Sequence, residues 1–229
     1  MSWLVAALGS SVGRKMIVAL TGLALLGFVL AHMAGNLQVF VGREALNAYA
    51  QGLQDLGPLL WVARIGLLGM FGVHVVLALK LTAESKAARP QAYAHNVGRV
   101  QAGPAVHSMA LTGATVLAFV AYHLAHFTLG VVHAEHRGVG LDEAGRHDVY
   151  GMVIAGFSDP LVAGLYLLAM ALLSLHLYHG VSSTLRSLGC EGPRYAPIIA
   201  TAGKGLAALV FFGNASIPLA ILTGLVGGA

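Results

Sequence analysis

The sequence predicts an all-α fold, an integral membrane bundle of five transmembrane helices with the N-terminus cytoplasmic and the C-terminus outside. Three observations carry that class. The 229 residues are 57% hydrophobic and only 10% charged, whereas soluble globular chains carry roughly 25% charged residues. The apolar residues gather in five runs, each near the roughly 20 residues that a helix needs to cross the hydrocarbon layer. The charges between the runs are sorted by sign. Helices suit such runs because lipid offers unpaired backbone groups no partner.

The five windows are 15–39, 59–82, 106–130, 160–184 and 203–227. Pro58 opens the second and Pro160 the fourth, where a missing N–H costs nothing in a first turn. Polar connections, "ESKAARPQAYAHNVGR" and "HAEHRGVGLDEAGRHDVYG", precede the third and fourth. No soluble domain, repeat or low-complexity stretch interrupts them, so residues 1–229 read as one transmembrane domain. The opening "MSWLVAALGSSVGRK" places its charges after a short amphipathic stretch, and the apolar run behind it is long for a signal sequence. It is expected to be retained.

With the N-terminus inside, the inner segments hold Arg14, Lys15, Lys80, Lys86, Arg89, Arg99, Arg186, Arg194 and Lys204 against Glu84 and Glu191. The outer segments hold four arginines against seven acids. That asymmetry obeys the positive-inside rule and sets the orientation. The basic residues are scattered and form no nucleic-acid patch. A lone cysteine, Cys190, excludes a disulfide framework, covalent haem attachment through C-x-x-C-H and cysteine-held iron–sulfur clusters.

Four histidines interrupt the oily runs: His32 in "FVLAHMAGNLQVF", His74 in "MFGVHVVLAL", His123 in "FVAYHLAHFTLG" and His176 in "LLSLHLYHGVSS". An ionisable group inside a membrane is costly and marks a functional site by default. The first and third helices run outward, the second and fourth inward. His32 and His123 each lie about seven residues from an outer helix end, and His74 and His176 about eight from an inner one. At 1.5 Å per residue, each pair shares a depth roughly 10–12 Å below its surface. Two imidazoles at one level on different helices can grip one iron from both sides, and two such levels make two stacked centres. Bis-imidazole iron without cysteine is b-type haem. Zinc would want three or four ligands per site, and no thiolate or carboxylate lies at these depths. Small residues beside the ligands, Gly27, Ala31, Gly35, Gly69, Gly72, Ala121 and Gly180, would let a flat ring approach the helices. His126 and His179 lie three residues after a ligand on nearly the same face, one turn nearer water. They suit a haem propionate or a quinone carbonyl. His95, His107, His133, His136 and His147 fall in loops or at helix ends and are expected to be solvated.

Together these motifs resemble the cytochrome b membrane subunit of succinate:quinone oxidoreductases, in the five-helix, two-haem branch that includes fumarate reductases. The resemblance runs through "SSVGRKMIVALTGLALLGFVLAHMAGNLQVF", "LNAYAQGLQDLGPLLWVARIGLLGMFGVHVVLALKLT", "HSMALTGATVLAFVAYHLAHFTLG", "DVYGMVIAGFSDP" and "LHLYHGVSSTLRSLG". It implies an outer haem on His32 and His123 and an inner haem on His74 and His176. In the family the fourth-helix ligand precedes a glycine by four residues, which His176 and Gly180 satisfy. It also implies a flavoprotein partner carrying FAD and an iron–sulfur partner, both on the cytoplasmic face of a bacterial inner membrane. Electrons from succinate would pass through them to membrane quinone, with menaquinone the usual choice of the two-haem branch. Lys86, Arg89, Arg99 and Arg186 would contribute to the docking face. Glu44 and Asp55 are candidate proton carriers for a quinone near the outer haem, and His179 or Arg99 for one near the inner. Some fumarate reductases of the family carry a glutamate two residues before the fourth-helix ligand. Here that position is Ser174, so the resemblance leans toward succinate oxidation. Two rival readings remain. One is the cytochrome b of a hydrogenase, formate dehydrogenase or nitrate reductase. The other is a haem-free transporter with a histidine proton relay.

Overall fold

The computed structural model describes residues 9–88, 109–190 and 192–228. Among them the architecture is all-α, apart from one isolated antiparallel bridge between Leu141 and His147. Five helices are long and apolar enough to cross a membrane, and by that length and hydropathy the chain is a multi-pass membrane protein. They are α1 (Ser11–Asn36), continued by a 3-10 turn over Leu37–Phe40; α3 (Pro58–Ala87); α4 (Met109–His123), continued by a π turn over Leu124–Leu129; α7 (Pro160–Ser187); and α8 (Ala196–Leu222). Three shorter helices, α2 (Arg43–Gln54), α5 (Ala134–Arg137) and α6 (Val149–Ser158), lie between them.

The boundaries follow local chemistry. Pro58 and Pro160 each begin a helix, as the sequence predicts. Asp159 caps α7, accepting the Leu161 N–H at 2.8 Å. The last helix covers Ala196–Leu222 rather than the expected 203–227. Pro197 fits its first turn, and Gly224 and Gly227 turn the chain beyond it at φ 72° and 79°, which L side chains resist. α8 continues through Pro218, which is buried and withholds one N–H from the helix ladder. The third window, 106–130, begins in residues outside those described.

The sequence reading placed no helix at α2 or α6. The ten apolar residues of α6 are too few to span a bilayer. They bury Met152, Val153 and Phe157 instead. α2 is amphipathic and buries Leu46 and Asn47.

Contacts divide the chain into two compact units. One is built from residues 1–28, 63–112 and 175–207, the other from 29–62, 113–174 and 208–229. In the first, Arg14 near the start of α1 pairs with Glu84 near the end of α3 at 2.9 Å, so these helices run antiparallel. α8 approaches α7 closely at Gly203, where an added Cβ would lie 3.0 Å from the Tyr178 carbonyl. Close approach at a small residue is how helices pack without a water-driven force. In the second unit, Val39, Leu46, Val153, Phe157, Val162, Ala163, Tyr166, Ile217 and Ile221 form a core drawn from α2, α6, α7, α8 and the 3-10 turn. Helix α3 buries none of its residues. Leu59, Trp61, Val62, Ile65 and Leu68 stand more than half exposed, which suits contact with lipid.

Candidate functional site

The second unit brings His32 of α1 and His123 of α4 together, their ring centres 5.8 Å apart and their planes nearly perpendicular. Two imidazoles clasping one metal through bonds of about 2 Å would have ring centres roughly 6 Å apart. Depth counting on the sequence pairs the same two residues.

The first unit holds His74 and His176. His74 Nδ1 lies 3.1 Å from the Val18 carbonyl and 3.2 Å from the Thr21 hydroxyl. A carbonyl only accepts, so Nδ1 must carry the ring proton and Nε2 keeps its lone pair. This is how proteins prepare a histidine for a metal, by fixing tautomer and ring direction through the far nitrogen. Gly22 makes room for the arrangement, because a Cβ there would lie 3.1 Å from His74 Cε1. His176 Nδ1 is buried without a hydrogen-bond partner among the described residues, and so is His179 Nε2. Such orphaned polar atoms call for an explanation, and a bound group is one. No ring contact like that of His32 and His123 joins His74 to His176.

The remaining candidates fall differently. His126 is 1% exposed, and both its nitrogens are engaged within the protein. Its Nδ1 lies 3.1 Å from the Tyr166 hydroxyl and its Nε2 3.0 Å from His136 Nδ1. Phe127 stacks on its ring at 3.9 Å. The Tyr166 hydroxyl also lies 3.3 Å from His123 Nδ1. It has one hydrogen, so at least one of the two imidazoles must donate to it. Tyr166 is 5% exposed within a ring of Phe119, Tyr122, Phe127 and Phe157. His136, expected to be solvated, is held in this network because the π turn and left-handed Gly130 reverse the chain beneath α4. Arg137 secures the reversal by donating to the Phe127 carbonyl at 2.8 Å.

Glu44 is paired with Arg146, which donates to its Oε1 at 3.0 Å, and the Arg146 bond holds its carboxyl below the usual range. Asp55 accepts from Gln51 at 2.8 Å. Arg99 lies outside the described residues. Of the glycines expected beside the ligands, Gly27, Gly69, Gly72 and Gly180 face open space, while Gly35 packs against the Tyr49 ring. The sequence reading missed Thr21, Gly22 and Tyr166. A Thr-Gly pair in an oily run was the available signal for the first two. A lone tyrosine gave none.

A second polar cluster lies outside the spans. Buried Asn47 donates to Asp142 Oδ2 at 3.0 Å and Asp148 Oδ1 at 2.9 Å, and accepts the Tyr150 N–H at 2.9 Å. Arg43 donates to Asp148 at 2.8 Å, and Arg146 Nε to Asp142 at 2.8 Å. The Arg146 hydrogen bond pulls the Asp142 carboxyl from 3.8 down to about 2. A depressed carboxyl stabilises the fold above its unfolded pKa, near 3.9, and that contribution is lost as pH falls toward the folded value. The unfolding midpoint should therefore drop between about pH 4 and pH 2. Arg146→Gln should flatten that drop, and an equally steep profile in the variant would contradict the assignment.

No family model matches the chain, and no curated protein or solved structure matches it either.

Proposed function

We propose that this chain is the membrane-anchor cytochrome b subunit of a succinate:quinone oxidoreductase in a bacterial inner membrane. It holds two b haems, on His32 with His123 and on His74 with His176. It passes electrons from an iron–sulfur partner to membrane quinone, with menaquinone as the acceptor. The observation that carries the reading is the His32–His123 pair at 5.8 Å, formed by two residues far apart in sequence at one predicted depth. Held between such pairs, haem supplies reversible one-electron carriage.

The protein's own part is positioning. Val18 and Thr21 hold the His74 ring with its Nε2 lone pair free, and Tyr166 reaches Nδ1 of His123. The apolar helices exclude water. Lys86 and Arg186, near the ends of α3 and α7, supply positive charge for partners on one face. FAD and iron–sulfur clusters belong to those partners, where succinate is oxidised. Succinate oxidation is the favoured direction, since Ser174 carries no carboxylate for a transmembrane proton route.

The test is isolation of the native complex from membranes in mild detergent. A flavoprotein and an iron–sulfur protein should co-purify, and succinate should reduce part of the b-type haem. A haem-containing complex without those partners, or one whose haem succinate leaves fully oxidised, would overturn the reading.

Gly22 offers a finer test. Gly22→Val should push the His74 ring aside and lower the haem held in the first unit, leaving the other centre in place. Gly205→Val, a substitution into open space, should leave both. Haem per chain in the purified variants reads the difference.

A further inference from the structure

Beyond α4 the chain reverses at Gly130 and enters the one-turn helix α5 with three donors facing one another. Glu135 Oε1 lies 3.6 Å from His133 Nδ1 and 3.9 Å from His136 Nε2. All three donor atoms fall within 4.8 Å of one another. These gaps are longer than good hydrogen bonds, which end near 3.2 Å, and lie at the distance of ion pairs between the carboxylate and the two rings. A tetrahedral ion with bonds of about 2 Å sets its donors roughly 3.3 Å apart. Reaching that spacing closes the two Glu135 gaps by about 0.3 and 0.6 Å and the gap between the two histidine donors by up to about 1.5 Å, movements available to the exposed Glu135 side chain and to the partly exposed His133 ring.

Two further observations concern how the rings are held. His136 is oriented from behind, since its Nδ1 lies 3.0 Å from Nε2 of fully buried His126, itself anchored on Tyr166. When His136 Nδ1–H donates there, Nε2 presents its lone pair toward Glu135 and His133. Holding a ligand histidine through its far nitrogen is the usual support of a metal site. His133 adopts a left-handed backbone, φ 53°, the only non-glycine residue among those described to do so. That conformation costs a residue with a Cβ of order 1 kcal/mol and recurs at functional sites. Here it sets the His133 ring against that of His136, 5.0 Å between centres and 12° from parallel, so the His133 ring has to turn about its Cβ–Cγ bond for both in-plane lone pairs to meet one ion.

We propose that His133, Glu135 and His136 form a site for a zinc-class divalent ion, with water in the fourth position. Two imidazoles and one carboxylate match borderline ions, whereas calcium and magnesium prefer all-oxygen shells. The ion ties α5 to the π turn of α4 through His136 and His126. None of its three donors is one of the proposed haem ligands, and it is linked to the His32–His123 pair through the shared Tyr166 hydroxyl, by way of His126.

The experiment is zinc titration of the tag-free protein in detergent by calorimetry, after treatment with chelator, with zinc per chain checked by elemental analysis. One tight site per chain is expected. His133→Ala, Glu135→Gln and His136→Ala should each weaken it at least tenfold, and His126→Ala by about 10- to 100-fold through loss of the supporting bond. His147→Ala, in the same connection but outside the triad, should leave it unchanged. Glu135 is exposed, so Glu135→Gln tests the site without disturbing the core. Absence of a tight site in the wild type, or unchanged affinity in both Glu135→Gln and His133→Ala, would overturn the proposal.

Discussion

Alanine at His74 or His176 is expected to lower the haem content of the purified protein from two per chain to about one, with the remaining centre still visible in the reduced spectrum. An iron clasped by two imidazoles loses one of its two protein bonds when either is removed, and no other described donor is prepared as His74 is. Its Nδ1 is committed to Val18, so Nε2 alone is free to bind metal. The same logic applies to His32 and His123, whose loss should remove the other centre. His179→Ala should leave both haems in place, because His176 and not His179 shares the predicted depth of His74. If His179→Ala abolished a haem and His176→Ala did not, the ligand assignment on α7 would be wrong.

The second large effect is expected at Asn47. This side chain has no exposed surface, yet it makes three hydrogen bonds, two joining α2 to the connection before α6 and one to the first turn of α6 itself. Asn47→Ala strips two donors from carboxylates and leaves the Tyr150 N–H without its acceptor. Bonds to charged groups contribute roughly 1.5–3 kcal/mol each, so a loss of about 3 kcal/mol is expected after partial relaxation. Asn47→Asp should be worse, since an ionised carboxylate cannot donate and adds a third negative charge beside Asp142 and Asp148. Unfolding in detergent read by intrinsic fluorescence checks both. A change under about 1 kcal/mol in Asn47→Ala would show that water replaces the amide at little cost.

The spans and the paired histidines could be read from sequence because both obey short rules, a run of apolar residues and a depth counted along a helix. α2 and α6 followed neither. α6 is apolar but half a span long, and its partner Asn47 lies 101 residues away from the Asp148 that caps it. Such a pairing leaves no local signature. His136 was misread for a related reason. Its sequence neighbours are polar, but the π turn and Gly130 fold them back so that the ring meets His126. Tyr166 shows the converse case. One hydroxyl among apolar residues gives no period, and its role appears only when α4 and α7 bring His123 and His126 to it. The supporting atoms of His74 were hidden too, since a backbone carbonyl such as that of Val18 has no residue identity to notice.

Haem quantification on the purified wild-type chain decides whether the paired histidines hold iron. Protein from haem-replete cells, reduced with dithionite, should show a b-type α-band and two haems per polypeptide. A colourless preparation of folded protein would contradict the account.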